Sequence, residues 1–108
     1  MNVTTNNNIK CITALAALKT VVDPEIGLNI VDLGLIYQLD FDEAEKMTYC
    51  SMMLTTQFFP MGESITHATR ETLRITFPEY DSKIELTFNP PWSYEKVSEE
   101  GRKFLNKR

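Results

Sequence analysis

The stretch VVDPEIGLNIVDLGLIYQLDFDEAEKMTYCSMMLT, Val21 to Thr55, holds the change of hydrophobic period that decides the fold. Ahead of it, Cys11, Ile12, Leu15, Leu18 and Val22 recur at three- and four-residue steps, with Ala14, Ala16 and Ala17 between them. That spacing predicts an amphipathic helix over Ile9 to Val22. Asn8 suits its N-cap, and Pro24, which disfavours helical geometry at Asp23, suits its end. Asp23 to Asp32 is turn-rich, punctuated by Pro24 and Gly27. From Leu33 the period falls to two. Leu35, Tyr37, Leu39 and Phe41 would share one strand face, and Ile36, Gln38 and Asp40 the other. Asp42 to Glu45 is a short charged connection to a second strand, Met47 to Thr55, with Cys50, Met52 and Leu54 on one face. So short a link makes the pair an antiparallel hairpin.

Working outward, Thr56 to Gly62 reads as a loop. Met61, Ile65, Ala68, Thr72 and Ile75 mark the stripe of a second helix that ends before Pro78. Lys83 to Phe88 alternates again, with Ile84, Leu86 and Phe88 inward. Asn89 to Ser93 contains two prolines and cannot continue a strand. Tyr94 to Leu105 reads as a short helical tail with Val97, Gly101, Phe104 and Leu105 as contacts. The expected fold class is α+β: a two-layer α/β sandwich in the order α-β-β-α-β-α. Residues 1–8, MNVTTNNN, are expected to fray, and residues 9–108 to form one domain.

The composition narrows the function. Eleven basic against fifteen acidic residues give a net charge of −4, a poor match to a phosphate backbone, so nucleic acid is not an expected partner. No apolar run approaches the roughly 18 residues that would span a bilayer, so no membrane role is expected. Met1 to Asn8 lacks the apolar core of a secretory signal, and the expected location is the cytoplasm. The 2 cysteines, Cys11 and Cys50, have no second Cys or His at metal-ligand spacing. Both fall in core-facing patterns and read as small buried hydrophobes. His67, alone of its kind, reads as a surface residue, and Met47, Met52, Met53 and Met61 as core fillers.

Three segments carry more. Asp23-Pro24-Glu25 is either a helix stop with solvated acids or a rigid turn aiming carboxylates at a metal or partner. Leu54 to Gly62 (LTTQFFPMG) runs from a strand through paired hydroxyls to a helix N-terminus, a place suited to an anion or a thiolate. Its bland reading is an ordinary connection capped by Thr. Asn89-Pro90-Pro91-Trp92-Ser93 is a stiff strand exit that plugs the core edge with the single Trp, or an aromatic wall beside the other two segments.

Taken together and in this order, the three segments resemble the SufT/PaaD-like iron–sulfur cluster assembly family in its single-domain form. The likeness rests on Val22 to Tyr37 (VDPEIGLNIVDLGLIY), on Leu54-Thr55-Thr56 with Pro60-Met61-Gly62, and on Asn89-Pro90-Pro91-Trp92. It implies an iron–sulfur assembly-type fold and an accessory role in maturing iron–sulfur proteins. The implied partners are the assembly machinery or client apoproteins. It implies a family pocket of Asp23, Glu25, Thr55, Thr56 and Phe59, with Trp92 beside it. The family pattern has a cysteine directly before Pro60; here that position is Phe59, which cannot ligate a metal. No metal ligand, catalytic residue or resident cofactor is therefore assigned, although the family is associated with iron or an iron–sulfur cluster. Two accounts fit Phe59: a variant that keeps docking and has given up metal contact, or an altered form of a cysteine-bearing parent.

The competing classes are a protein-interaction module with no metal role, including a homodimer through a sheet edge, and a small hydrolase or transferase using Asp23 or Glu25 as acid or base. The expected chemistry is directly testable. The chain as written should bind iron or a cluster weakly or not at all, and Phe59→Cys should create or strengthen binding. Anaerobic reconstitution with visible absorption reads both. Strong cluster absorption from the unmodified chain would instead make Cys50 or Cys11 a ligand.

Overall fold

The computed structural model describes residues 3–55, 61–88 and 91–107, and of Met61 the backbone. The elements are β1 (Thr4–Thr5), α1 (Asn8–Leu18), β2 (Ile36–Asp42), β3 (Met47–Met52), α2 (Met61–Thr76), β4 (Asp81–Leu86), a 3₁₀ turn (Tyr94–Lys96) and α3 (Glu99–Asn106). The expected α-β-β-α-β-α order holds, preceded by one extra strand. The sheet order is β1-β2-β3-β4, with β1 and β2 parallel, β2 and β3 antiparallel, and β3 and β4 parallel.

The expectation that residues 1–8 fray does not hold for Thr4 to Asn8, while residues 1–2 lie outside the described residues. Thr4 and Thr5 pair with Gln38 and Leu39. Asn6 then extends the ladder with its side chain: its amide donates to the Phe41 carbonyl and its side-chain oxygen accepts from the Phe41 N–H, each at 2.9 Å. A run of asparagines looks like low complexity, yet an asparagine amide carries the same donor and acceptor as a peptide unit.

α1 begins at Asn8 because Asn7, one residue earlier than expected, is the N-cap; its side chain accepts from Lys10 N at 3.0 Å. The helix stops at Leu18, well before Pro24. From Val21 the backbone groups go elsewhere: Ile30 N donates to the Val21 carbonyl, Asp23 N to the Leu28 carbonyl, and Val22 bridges Asn29. That pairing removes the groups a longer helix would need. The buried face is therefore Cys11, Ala14 and Leu18, while Ile12 and Val22 are exposed.

In β2 the expected alternation breaks. A register shift lies between Ile36 and Gln38. One residue too many at that point turns Tyr37 outward and Ile36 inward. Beyond it, Leu39 and Phe41 are buried as expected, opposite buried Cys50 and Thr48 of β3, and Ile36 lies opposite Met52. The hairpin turn ends on Lys46, at φ 54°, and Asp42 accepts from Glu45 N at 2.9 Å. β3 is shorter than expected, although Met53 and Leu54 continue into the core. β4 is an edge strand, and Leu86 and Phe88, expected inward, are exposed.

α1 and α2 pack on one another above one sheet face. On α2 the buried line is Ile65, Thr69 and Leu73; Ile75, expected on it, is exposed. Thr69 is tolerated in the core because its hydroxyl donates to the Ile65 carbonyl at 2.8 Å. α2 ends at Thr76, before Pro78 as expected. Phe41, Phe77 and Tyr80 form an edge-to-face triad, with centroids 5.2 to 6.4 Å apart. In the tail, Val97 and Gly101 are buried and Leu105 packs on the core, but Phe104 faces solvent.

Two buried hydroxyls lack a partner among the described residues. The Thr48 hydroxyl is buried without a hydrogen bond, and Ser82, its register neighbour on β4, has the same deficit. Thr48→Val keeps the shape and removes the unpaired hydroxyl, so it should stabilise the fold by about 1 kcal/mol in a urea titration. A loss of stability would show that the two hydroxyls are satisfied in solution.

Candidate functional site

Asp23 is fully buried, with 0% exposure. An isolated buried carboxylate is costly, so its oxygens must find donors. Oδ1 accepts from Glu25 N at 2.9 Å and Ile26 N at 3.2 Å, and Oδ2 accepts from the Thr55 hydroxyl at 3.0 Å. Its backbone N–H and carbonyl bond Leu28 and Gly27. Asp23 is thus the keystone of the turn after α1, and Thr55 links it to the end of β3. The structure brings together two residues expected to share a site, 32 apart in sequence. Glu25 joins through its backbone; its side chain is exposed. Of the two readings of this acidic turn, the solvated one describes Glu25 and neither describes Asp23, which is held by its own chain. Thr56 and Phe59 lie outside the described residues.

Trp92 reaches a different segment. Its Nε1–H donates to the Leu33 carbonyl at 2.6 Å while the ring packs on the core. It is one of several ties between the C-terminal tail and the 29–34 loop. Asn29 accepts from Val31 N and Asp32 N, and its amide donates to Asp32 Oδ2 at 2.7 Å. Ser98 donates from its hydroxyl to Asp32 Oδ1 at 2.8 Å and from its N–H to the Asp32 carbonyl at 2.7 Å. The same hydroxyl accepts from Gly101 N, capping α3. The segments touch through backbone. Gly34 sits at φ +77°, and a Cβ there would lie 2.1 Å from the Lys96 carbonyl oxygen. At Gly101 a Cβ would press on Val97, Leu28 and the Asp32 carbonyl, all within 3.1 Å.

The Asn29–Asp32–Ser98 network was missed at the level of sequence. The available signal was Ser98 before two glutamates, a helix-start pattern, and Asn29 three residues ahead of Asp32. Neither pattern says that the two segments meet.

The thiols are not available for chemistry. Burial pushes the Cys50 thiol up to about 12, and burial raises that of Cys11 too. Both stay protonated at neutral pH, whereas metal binding and nucleophilic attack need the thiolate. Among the described residues no three His, Cys, Asp or Glu side chains gather where they could hold a metal. These residues do not fit an iron site. His67 is exposed, and Met52 and Met53 are core.

The α+β fold of this chain is shared with solved structures. A DUF59 domain of unknown function from Bacillus anthracis is 31% identical, with a TM-score of 0.82, covering 94% of this chain and 100% of that one. The conserved hypothetical protein TM0487 of Thermotoga maritima is 34% identical, with a TM-score of 0.72, over 87% and 91% of the two chains. The family model described as "Iron-sulfur cluster assembly protein" matches residues 13–86, and the chain belongs to that family. Among curated relatives, the Fe-S protein maturation auxiliary factor YitW of Bacillus subtilis is 37% identical, over 78% of this chain and 81% of its own. The corresponding factor SufT of Staphylococcus aureus is 35% identical, over 72% and 88%. A third maturation auxiliary factor, from Porphyromonas gingivalis, is 39% identical, over 77% and 78%.

The turn geometry separates the two acids. Asp23→Ala strands two amides and a hydroxyl and should cost roughly 2–4 kcal/mol in urea unfolding; Asp23→Asn keeps an acceptor and should cost less. Glu25→Gln should stay within about 0.5 kcal/mol. The buried thiol also sets a pH dependence. Cys50 holds its proton to about 12 when folded, against an ordinary 9.0. Above that ordinary value the unfolded chain releases the proton first. Stability should therefore be intact below pH 9 and fall as pH rises towards 12. Cys50→Ala should flatten that limb of the stability curve.

Proposed function

We propose that this chain is an accessory factor in iron–sulfur cluster assembly or in the maturation of iron–sulfur proteins, acting by binding other proteins. The observation that carries this reading is the match, along about three quarters of the chain, to three relatives each named as an Fe–S protein maturation auxiliary factor. A solved relative from Mycobacterium tuberculosis, 34% identical with a TM-score of 0.52, is described as associated with Fe–S complex assembly and repair.

The bonding of the described residues favours contact over chemistry. Asp23 spends both oxygens on its own turn, which leaves it poorly placed as a general base. The two thiols are buried and protonated. Phe59 stands where the family pattern has a cysteine, so direct metal contact is no part of the role. Glu25, Thr56, Phe59 and Trp92 act here as a surface that a partner reads, and buried Asp23 with Thr55 holds the turn in shape beneath it. The partners are assembly components or client apoproteins, and the place of action is the cytoplasm. No helix among the described residues is long and apolar enough to cross a membrane.

The test is genetic and biochemical. In a strain lacking the gene, iron–sulfur enzymes should lose activity and cluster content under iron limitation while their polypeptide levels hold. The wild-type chain should restore both. Unchanged cluster occupancy in the deletion strain would reject the reading. Restoration by Phe59→Ala as good as wild type would show that this position is not part of the contact surface.

A further inference from the structure

α1 is apolar on two opposite faces. Cys11, Ala14 and Leu18 point into the core. On the far side Ile9 is 80% exposed and Ile12 70% exposed, and Thr13 and Ala16 are exposed with them. Positions 9, 12, 13 and 16 form one continuous helical stripe. The only charged residue of α1 is Lys10, whose ammonium is turned aside to Glu43 and the Tyr80 hydroxyl. A helix with apolar side chains on two opposite faces is the pattern of one covered on both sides, and an exposed apolar patch marks an interaction site. The parallel pairings of β1 with β2 and of β3 with β4 make α1 and α2 antiparallel neighbours. The last turn of α2, with Ile75 at 78% exposure, therefore lies beside the first turn of α1.

We infer that this stripe is covered by a second copy of the chain, with the two α1 helices crossing antiparallel about a two-fold axis between positions 12 and 13. Three features single out a second copy. First, the stripe carries no charge, so two chains of net charge −4 can meet there without opposing like charges. Second, its sizes are self-complementary: the axis sets Ile9 against Ala16 of the second copy and Ile12 against Thr13, large against small at each pair. Third, its one polar side chain needs no partner, because the Thr13 hydroxyl already donates to the Ile9 carbonyl at 3.3 Å. One helix face is smaller than the roughly 800 Å² per partner of a standard interface, so the dimer is a weak one. The inference does not depend on the accessory role, and it moves self-association from a sheet edge to the helical layer.

Sedimentation velocity on the full chain between about 10 µM and about 1 mM tests it. The wild type should pass from monomer to dimer over that range. Ile12→Glu should raise the dimer dissociation constant by at least about tenfold. Ala16→Ile is the sharper variant. It adds apolar surface, so general stickiness predicts stronger association, whereas the proposed pairing sets Ile against Ile and predicts weaker association. Exchanging the pair, Ile9→Ala with Ala16→Ile, should restore the dimer. Thermal melts matching the wild type confirm that each variant is folded. A wild type that stays monomeric throughout overturns the inference and leaves the stripe to a groove on another protein. So does a dimer indifferent to Ile12→Glu, or one that Ala16→Ile tightens.

Discussion

The buried carboxylate of Asp23 is the constraint on which the rest of the molecule leans. A carboxyl group at 0% exposure is tolerated only if its oxygens find hydrogen-bond partners. Those partners are two amides of the following turn and the Thr55 hydroxyl. The bonds fix where the chain leaves α1, and through Thr55 they tie that exit to the end of β3. The two halves, β1-α1-β2 and β3-α2-β4, are paired along β2 and β3, and the Asp23–Thr55 bond adds a side-chain tie at the end away from the hairpin turn.

The same constraint explains why so much was legible in the sequence and why the remainder was not. Periodicity reports which side of a local element is apolar, and it placed the helices, the hairpin and the buried cysteines well. It cannot report a bulge, so Tyr37 was put inward. Nor can it see an edge, where Leu86 and Phe88 stay partly exposed. Proline marks where a helix must have ended, and α1 stopped earlier because the next residues had better partners. Asp23 and Thr55 were legible as a pair only through the family resemblance. What each does there depends on burial, and burial depends on a chain folding back from 32 residues away.

The tail shows the limits of local reading most clearly. Residues 91–107 lie beyond the 13–86 span of the family model. They are held by Trp92 on Leu33 and by Ser98 on Asp32. A single serine ends one hydrogen-bond network and begins a helix. Loop and tail therefore behave as one unit, although no periodic pattern connects them.

The close approach of Gly34 to Lys96 bears on how mutational scans of this protein should be interpreted. A side chain at position 34 would meet backbone at 2.1 Å, and backbone cannot swing aside as a side chain can. Every substitution there is a lesion of the fold, whereas at Gly101 the nearest atoms are the side-chain ends of Val97 and Leu28, which can give way. In a screen that scores only function, Gly34 would rank beside any true contact residue through loss of the fold alone. Protein abundance measured in the same cells separates the two kinds of position. Glycines at backbone crossings lose the protein itself, whereas residues that meet a partner lose only what the protein does.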